Sequence, residues 1–383
     1  MLIDDDDRYS RLRLIQWWDQ DKLSAAKVLV VGAGALGNEV LKNLALLGIG
    51  WVYVVDFDCI EQSNLARAVL FRSADRGQPK ATAAAAALRE INPDTRVHAL
   101  VANVITDIGL GLFQHVDVVI GCLDNREARL WVNRQCWKVN TPWIDGGIQE
   151  ISGVVKVFVP PHSACYECGM TENDYRLINL RYSCPLLRNE DLLAGKVPTA
   201  PTISSIVGGF QTQEAVKLLH GIPVQPGTAS VYNGAANQFY TTHFQRREEC
   251  LSHETYPTPL ELPLSVDRDS VEDLFACLRE RHGVDGIVSL HLDRDLVVSL
   301  DCSKCNAHHT VLQPLQLVGM DRAHCRDCGQ LTKPRLQHSI APASELSKQK
   351  LGAVGVPPRD MIRVETEEEE IVCLLTGDKL PHE

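Results

Sequence analysis

Two Cys-x-x-Cys pairs near the end of the chain have the residue types and spacing of a metal site. Cys302 and Cys305 form one pair, Cys325 and Cys328 form the other, and residues 306–324 lie between them. This spacing is in the range of a zinc ribbon, and four thiolates make a good tetrahedral shell for Zn²⁺. The sequence therefore predicts a structural zinc site. Three nearby histidines are spare donors that we expect to be solvated: His308, His309 and His324.

A glycine-rich segment near the start of the chain has the pattern of a nucleotide site. Gly32, Gly34 and Gly37 form G-x-G-x-x-G between a predicted strand and a predicted helix, the context that this motif requires. Glycine lets the backbone approach phosphates, and the helix N-terminus supplies N–H donors. Asp56 follows the next strand at the distance expected for an acid that binds ribose. These residues alone would suggest an NAD-dependent dehydrogenase, and the lack of G-x-x-x-x-G-K-[ST] disfavours a Walker-type NTPase.

Strand and helix patterns alternate between Ala26 and Ala200, and they must position the glycine segment. The elements that we predict are Lys27–Val31, Ala35–Leu47, Trp51–Val55, Ala81–Ile91, Val116–Ile120, Val154–Val159 and Ser204–Leu219. Such alternation predicts a parallel sheet with crossover helices. Residues 172–201 are polar and irregular in pattern, so we expect a mobile loop there.

Three prolines in Glu254–Pro263 predict a linker between two domains. We expect an α/β domain over residues 1–255, with a Rossmann-like, doubly wound and mainly parallel sheet. Residues 256–383 are expected to form a small α+β domain that contains the zinc ribbon. Its nearly all-acidic run Glu365–Glu370 predicts a solvated tail, and we expect Leu374 and Leu375 to belong to a frayed terminus.

Composition narrows the class of protein. The chain has 383 residues, of which 45% are apolar and 23% charged, as in ordinary globular proteins. Its net charge of -11 argues against nucleic-acid binding, and no apolar run has the roughly 18 residues needed to span a bilayer. The chain has 13 cysteines, and their Cys-x-x-Cys pairs in a cytoplasmic-type chain favour metal and thiol chemistry over disulfides.

Further motifs follow in an order that resembles a known family. Residues 56–67, DFDCIEQSNLAR, resemble D-x-D-x-I/V-E-x-S-N-L-x-R of the ubiquitin-activating-enzyme-like superfamily, which includes the MoeB/ThiF adenylyltransferases. The other matching segments are Arg8-Tyr9-Ser10-Arg11, Pro79-Lys80-Ala81, residues 122–129 (CLDNREAR), Asp145-Gly146-Gly147 and Gly208-Gly209. The resemblance covers roughly residues 8–255. It implies adenylation of a carboxylate by ATP.

The resemblance also implies roles for individual residues. Asp56 would hold the ribose, beside Asp58 and the three glycines. Asn64, Arg67 and Lys80 would contact phosphates, and Asp124 would hold Mg²⁺, which prefers carboxylate and phosphate oxygens. Arg11 would reach across a homodimer to the terminal phosphates.

Each of these residues also has an ordinary structural interpretation. Asp124 could be a helix N-cap, and Lys80 and Arg67 could be surface charges. Because the motifs occur together and in order, we favour the functional roles. One departure is Ala68, which stands where the family usually has Gln; we expect it to alter local packing more than phosphate binding.

The resemblance implies a second zinc site. In the superfamily, a Cys-x-x-Cys at the position of Cys165 and Cys168 pairs with another near the end of the domain. There this chain has Cys250 and His253. Three thiolates and one imidazole form a suitable structural shell for Zn²⁺, although His253 departs from the usual fourth Cys.

A reactive cysteine would carry the activated acyl group as a thioester. The segment directly before Ser204–Leu219 has no Cys, and the nearest candidate is Cys184. Arg181 and Arg188 could lower the pKa of Cys184, but it could equally be an incidental loop residue. The remaining cysteines are expected to be inert, and those in the Rossmann-like core to be buried: Cys59, Cys122, Cys136, Cys277 and Cys373.

The sequence thus predicts a cytoplasmic, ATP-dependent activating enzyme for a small ubiquitin-like protein with a C-terminal Gly, which could pass that protein to a conjugating partner. No Cys-centred rhodanese loop is visible, which favours conjugation over activation of a sulfur carrier, the nearest alternative. An NAD-dependent oxidoreductase and a non-catalytic scaffold subunit are the alternatives from other classes.

Overall fold

The structure is a computed structural model that describes residues 6–183, 198–319 and 322–380. These residues divide into two compact units. Of the described residues, the first unit contains 6–104, 113–182 and 198–255, and the second contains 105–112, 183 and those from 256 onward. The sequence did not predict that 105–112 group with the second unit.

An eight-stranded sheet is the centre of the first unit. Its strands are β1 (Lys27–Val31), β2 (Trp51–Val55), β3 (Arg96–Leu100), β4 (Val118–Gly121), β5 (Trp143–Gln149), β6 (Ser152–Phe158), β7 (Thr228–Asn233) and β8 (Gln238–His243). Their order is β3-β2-β1-β4-β5-β6-β7-β8. The pairs from β3 to β5 are parallel, and those from β5 to β8 are antiparallel. The parallel part has a Rossmann-like strand order, and the alternating pattern had predicted its parallel pairing.

Glycine, proline and asparagine determine where several helices begin and end. The described helices of the chain are α1 (Gln20–Ala25), α2 (Ala35–Leu47), α3 (Lys80–Ile91), α4 (Leu110–His115), α5 (Arg126–Lys138), α6 (Glu172–Ser183), α7 (Pro201–His220) and α8 (Val271–His282). Gly48 ends α2 in the left-handed conformation, with φ 71. Pro201 begins α7, and Asn92, which precedes Pro93, ends α3. The predicted bounds of α2, β1 and β2 are confirmed.

The strand order of this sheet reverses between β1 and β4, and ligands of open α/β sheets bind at such a point, beyond the carboxyl ends of the strands. In β1, four of the five residues are buried, as are four of five in β2 and all four in β4. Gly32, Asp56 and Asp124 follow the ends of these three strands. The buried strands therefore bring the predicted nucleotide-binding residues to one edge of the sheet.

The second unit contains a six-stranded sheet. Its strands are β9 (Leu260–Leu262), β10 (Ile287–Asp301), β11 (His308–Pro314), β12 (Lys333–Ile340), β13 (Met361–Thr366) and β14 (Glu370–Leu375). Their order is β11-β10-β13-β14-β9, and β12 also pairs with β10. Ser270 is the N-cap of helix α8, and its hydroxyl accepts the Asp273 amide. The apolar residues of α8 join the core of this unit.

Three local predictions are wrong. Residues 172–183 form helix α6 and not an irregular loop; the rest of the predicted mobile loop lies mainly outside the described residues. The acidic run Glu365–Glu370 is not a tail, because it lies where β13 turns into β14. Leu374 and Leu375 belong to β14 and are buried. The proline-rich segment also contains β9, which pairs with β14 in parallel.

The predicted fold class is confirmed: the first unit is a Rossmann-like α/β structure with a large, partly parallel sheet, and the second is α+β. Among the described helices, none has the length and apolar character needed to cross a membrane.

Candidate functional site

The glycine loop after β1 requires glycine for two different reasons. Gly32 has φ +99, and a Cβ atom there would lie 2.4 Å from the carbonyl oxygen of Cys122. A Cβ atom on Gly37 would lie 2.0 Å from the carbonyl oxygen of Gly32. At Gly34, by contrast, an added Cβ would meet nothing within 4 Å. Gly32 and Gly37 thus permit close packing, while the backbone at Gly34 faces open space before the first turn of α2, where a phosphate group can approach.

Asp56 is joined to this loop by its carboxylate. Its Oδ2 accepts the amide of Ala33 at 2.7 Å, and its Oδ1 accepts the amide of Asp58 at 2.8 Å. Burial raises the pKa of Asp56 above its ordinary value, although the Ala33 amide opposes this shift. The predicted ribose-binding acid therefore lies directly against the predicted phosphate loop.

Lys80 and Asp58 form an ion pair beside Asp56. The Nζ of Lys80 lies 2.7 Å from Oδ2 of Asp58, and the amide of Lys80 donates to the Asp58 carbonyl at 2.8 Å. Only 12% of the Lys80 side chain is exposed, against 52% for Asp58. Lys80 is therefore not the plain surface charge of the ordinary interpretation.

Asn64 and Arg67 lie on the turn that follows. The Oδ1 of Asn64 accepts the amide of Glu61 at 2.9 Å, and Arg67 donates from Nη1 to the Ser63 carbonyl at 3.2 Å. Both side chains are half-buried. Ala68 is buried in the core of the unit, so the small side chain has a packing role there.

Asp124 is exposed directly after β4, and it is not the N-cap of α5. That role belongs to Asn125, whose side chain accepts the amide of Ala128 at 2.8 Å. Asp124 is thus an exposed carboxylate at the carboxyl end of a parallel strand, free of the capping role.

Arg129 and Asp145 are support residues whose pairing the sequence did not reveal. Arg129 donates from Nε to Oδ1 of Asp145 at 2.9 Å and from Nη2 to the carbonyls of Gly146 and Leu123. Asp145 is fully buried and also accepts from Lys156 at 3.2 Å. The Asp145 charge raises the pKa of Arg129 against the effect of burial. Since Leu123 precedes Asp124, the bond from the half-buried Arg129 to the Leu123 carbonyl fixes the backbone that presents Asp124.

Two other predicted catalytic residues are Arg11 and Cys184. Arg11 precedes the short turn Leu12–Leu14, and its side chain is exposed. Cys184 lies outside the described residues.

Three thiols were predicted to be buried in the Rossmann-like core. Cys136 is buried and Cys122 is half-buried, but Cys59 is exposed, because it lies in the loop segment after Asp58.

The first metal cluster joins Cys165, Cys168, Cys250 and His253, whose donor atoms lie within 4.8 Å of one another. The Sγ of Cys165 is 3.7 Å from that of Cys168 and 3.5 Å from that of Cys250, and Cys168 Sγ is 3.4 Å from Nε2 of His253. Tetrahedral zinc with Zn–S bonds of about 2.3 Å separates its sulfur ligands by about 3.8 Å. The four residues therefore fit a zinc ion.

His253 has a competing neighbour in this cluster. The Nη1 of the exposed Arg246 lies 3.1 Å from the same Nε2 that faces Cys168. Burial, followed by the charge of Arg246, lowers the pKa of His253, which favours the neutral imidazole that a metal requires. A bound metal ion would use the lone pair of Nε2, so Arg246 would have to move aside.

The second cluster contains Cys302, Cys305, Cys325 and Cys328 in the second unit. The Sγ atoms of Cys302 and Cys328 are 3.5 Å apart, as are those of Cys305 and Cys325. These distances fit the ligand spacing of tetrahedral zinc. They exceed the length of an S–S bond by more than 1 Å, so the pairs are not disulfides.

His309 is half-buried, and the prediction that it is solvated is wrong. Its Nε2 lies 3.3 Å from Cys325 Sγ, and this hydrogen bond lowers the pKa of Cys325 to about 6. His308 and His324 are exposed as expected.

Comparisons with known proteins agree with this geometry. The model of the ThiF family matches residues 7–253. The sulfur carrier protein ThiS adenylyltransferase of Escherichia coli strain K12 is 31% identical over 247 residues, covering 63% of this chain and 93% of that protein. Ubiquitin-like modifier-activating enzyme 5 of Rattus norvegicus is 30% identical over 262 residues, covering 63% of this chain and 62% of that protein. This chain therefore matches less than two thirds of the length of that enzyme.

The fold is also found among solved structures. A crystal structure of Escherichia coli MccB with ATP has a TM-score of 0.54 and 24% identity, covering 65% of this chain and 74% of that one. At this identity the likeness shows the fold alone.

Proposed function

Because the chain belongs to the ThiF family, we propose that it uses ATP to adenylate the C-terminal glycine carboxylate of a small ubiquitin-like protein. The observation that carries the proposal is the series of contacts that joins Ala33 of the glycine loop through Asp56 and Asp58 to Lys80. The exposed carboxylate of Asp124 lies at the same edge of the sheet. An NAD-dependent dehydrogenase would use the glycines and Asp56 but would leave the Lys80, Arg67 and Asp124 side chains without a role.

The reaction joins a carboxylate oxygen of the carrier to the α-phosphorus of ATP, and the bond from that phosphorus to the bridging oxygen breaks to release pyrophosphate. Catalysis of such a transfer is mainly charge neutralisation and positioning. In the proposal, Arg67 and Lys80 neutralise the phosphates, and Lys80 exchanges Asp58 for a phosphate oxygen. Asp56 holds the ribose, and Asn64 donates to phosphate. Mg²⁺, when bound by Asp124, supplies further positive charge at the phosphates.

A homodimer completes this proposal. Arg11 is exposed on the N-terminal segment, and in the proposed dimer its guanidinium reaches the terminal phosphates in the partner's site. Arginine is suited to such a role because its guanidinium forms paired hydrogen bonds with phosphate.

Both cysteine clusters are proposed to hold structural zinc. Four protein ligands leave no open position for a substrate, so zinc here stabilises the turns that carry its ligands. A cluster of this kind suits a small α+β unit, whose core alone supplies limited stability.

A thioester step is proposed to follow adenylation. The thiolate of Cys184 attacks the carbonyl carbon of the adenylated glycine, a C–S bond forms, and AMP leaves with the electrons of the C–O bond. The carrier then passes to the thiol of a conjugating partner.

A non-reducing gel tests the thioester step. Wild type and Cys59→Ala should form a carrier adduct that thiols cleave, and Cys184→Ala should not. An adduct that survives Cys184→Ala removes this assignment.

Activation of a sulfur carrier is the second candidate. The 93% coverage of the ThiS adenylyltransferase favours it, since the match there spans nearly that whole protein. In that case adenylation occurs without a stable carrier thioester.

The proposed function is tested by exchange of labelled pyrophosphate into ATP in the presence of purified carriers that end in glycine. Exchange that depends on one carrier supports adenylation and argues against both an oxidoreductase and a non-catalytic scaffold. Binding of NAD in preference to ATP, with no exchange for any carrier, would contradict it.

A further inference from the structure

A buried carboxylate lies in one of the two turns that carry the first metal cluster. Glu167 is in the turn between Cys165 and Cys168, and it is fully buried. Its Oε1 accepts the hydroxyl of Tyr175 at 2.7 Å and Nη2 of Arg134 at 2.7 Å. Its Oε2 accepts the hydroxyl of Ser252. A carboxylate removed from water needs such partners, because a lost partner leaves a buried charge uncompensated.

The partners of Glu167 come from three different elements. Ser252 lies between Cys250 and His253, in the other metal-binding turn, whereas Arg134 is on α5 and Tyr175 is in the first turns of α6. One carboxylate therefore joins both turns that carry the metal ligands to the start of α6.

A second contact joins α6 to the nucleotide side of the unit. Asp174 accepts the amide of Thr171 at 2.9 Å, in the manner of a capping box, and its Oδ1 lies 2.9 Å from Nε of Arg126. Arg126 is two residues after Asp124 and begins α5. Two neighbouring side chains of α6 thus contact Glu167, in a turn that carries metal ligands, and Arg126, in the segment that follows Asp124.

We infer that Glu167 is a positioning residue that couples metal binding at Cys165, Cys168, Cys250 and His253 to the position of α6 and, through Asp174 and Arg126, to the segment of Asp124. This inference rests on the proposed zinc occupancy. The metal fixes the turn that carries Ser252, so that Ser252 and Glu167 together hold Tyr175. Without the metal, this turn loses its anchor, and the first turns of α6 lose a fixed partner.

Hydrogen exchange on the full chain tests the first half of the coupling. Amide exchange of residues 171–178 is measured by mass spectrometry with zinc bound, after chelation, and in Tyr175→Phe. Chelation should increase exchange in this segment, and Tyr175→Phe should increase it while the zinc content stays unchanged. Tyr232→Phe is the matched control, because that hydroxyl donates to Asn237 on the β7–β8 hairpin; it should leave residues 171–178 unaffected. Unchanged exchange after chelation, or in Tyr175→Phe, would overturn the inference.

Nucleotide affinity tests the second half. Titration with a fluorescent ATP analogue should show a Kd about two- to fivefold higher for Arg126→Ala, the range that a partly exposed ion pair supports. Arg126→Lys should restore most of the affinity, which a change in folding alone would not do. Arg268→Ala removes an exposed ion pair with Asp269 in the second unit and should leave the Kd unchanged. Equal Kd values for wild type and Arg126→Ala would overturn the link to Asp124.

The experiments distinguish a failure of this inference from a failure of the proposed function. If wild type exchanges no pyrophosphate with any carrier, but chelation exposes residues 171–178 and Arg126→Ala weakens ATP binding, the coupling is supported and adenylation is contradicted. If exchange of pyrophosphate is normal and chelation leaves residues 171–178 protected, the coupling is overturned and adenylation stands.

Discussion

The ammonium group of Lys80 lies 2.7 Å from the carboxylate of Asp58, and the Lys80 amide bonds to the Asp58 carbonyl. Asp58 in turn donates its amide to Asp56, which accepts the Ala33 amide of the glycine loop. A continuous set of contacts therefore runs from the start of α3 to the phosphate loop. In the proposed mechanism, this ion pair compensates the charge of Lys80 until a phosphate takes the place of Asp58.

Replacement of Lys80 should damage the reaction more than the fold. Lys80→Ala removes a charge placed at the proposed phosphates, and loss of one such group lowers rates by about 100-fold. Pyrophosphate exchange measures the effect. Lys348→Ala is the matched control, because Lys348 forms an exposed ion pair with Glu345 in the other unit. Similar rates for the two variants would argue against phosphate binding by Lys80.

Substitution of Asp124 should affect activity, whereas substitution of Asn125 should affect the stability of the fold. Asp124→Ala should abolish pyrophosphate exchange and leave thermal stability nearly unchanged, because Asp124 does not cap α5. Asn125→Ala removes the cap and should cost about 1 kcal/mol of unfolding free energy, measured by urea denaturation. A large loss of stability in Asp124→Ala, with exchange retained, would restore the capping interpretation.

The chain should bind two zinc ions. Cys165→Ser and Cys302→Ser should each reduce the zinc content of the purified chain from two ions to one, because each removes a ligand from a different cluster. Elemental analysis by mass spectrometry gives the stoichiometry. Cys59→Ser replaces an exposed thiol outside both clusters and should retain both ions. Retention of two ions by Cys302→Ser would contradict the ribbon.

Asp174 predicts a specific dependence of stability on pH. The Thr171 amide, with a contribution from the charge of Arg126, lowers the pKa of Asp174. A carboxyl group with a lowered pKa in the folded state stabilises the fold above the pKa of the unfolded chain, and this stabilisation is lost as the pH falls through the folded pKa. Asp174→Asn should therefore destabilise the chain most near pH 7, and the difference from wild type should shrink below about pH 4. Urea denaturation of both proteins across this range measures it. A difference that is independent of pH would contradict the assignment.

The parallel half of the sheet was predictable because its signals are local. Strands β1 and β2 are short runs of β-branched residues, and Gly32 and Gly34 mark the loop between β1 and α2. The metal donors were predictable from Cys-x-x-Cys spacing and from the resemblance to the family. The strands and the glycine loop needed no contact between distant parts of the chain. The grouping of Cys165 and Cys168 with Cys250 and His253 does join distant segments, and it came from the resemblance to the family.

The errors concern segments that distant contacts stabilise. Helix α6 begins with polar residues, and its start is held by Glu167 and Arg126 as well as by Asp174. The pattern Thr171-x-x-Asp174 was a local signal of its beginning that the polar composition concealed.

Strand β14 lies beside an acidic turn, which suggested a tail, yet Val372 and Cys373 are buried because β13 and β9 pair with it on either side. The sequence also did not reveal the Arg129–Asp145 ion pair, because the pair joins helix α5 to strand β5.

The most direct test of adenylation is the intact mass of the carrier. A purified ubiquitin-like protein that supports pyrophosphate exchange is incubated with the chain, ATP and Mg²⁺ under conditions that preserve an acyl adenylate, with inorganic pyrophosphatase present to remove the product. We expect a carrier heavier by one adenylate group with wild type and no such species with Asp124→Ala. A carrier that stays unmodified with wild type, or becomes equally modified with Asp124→Ala, would contradict the proposed site.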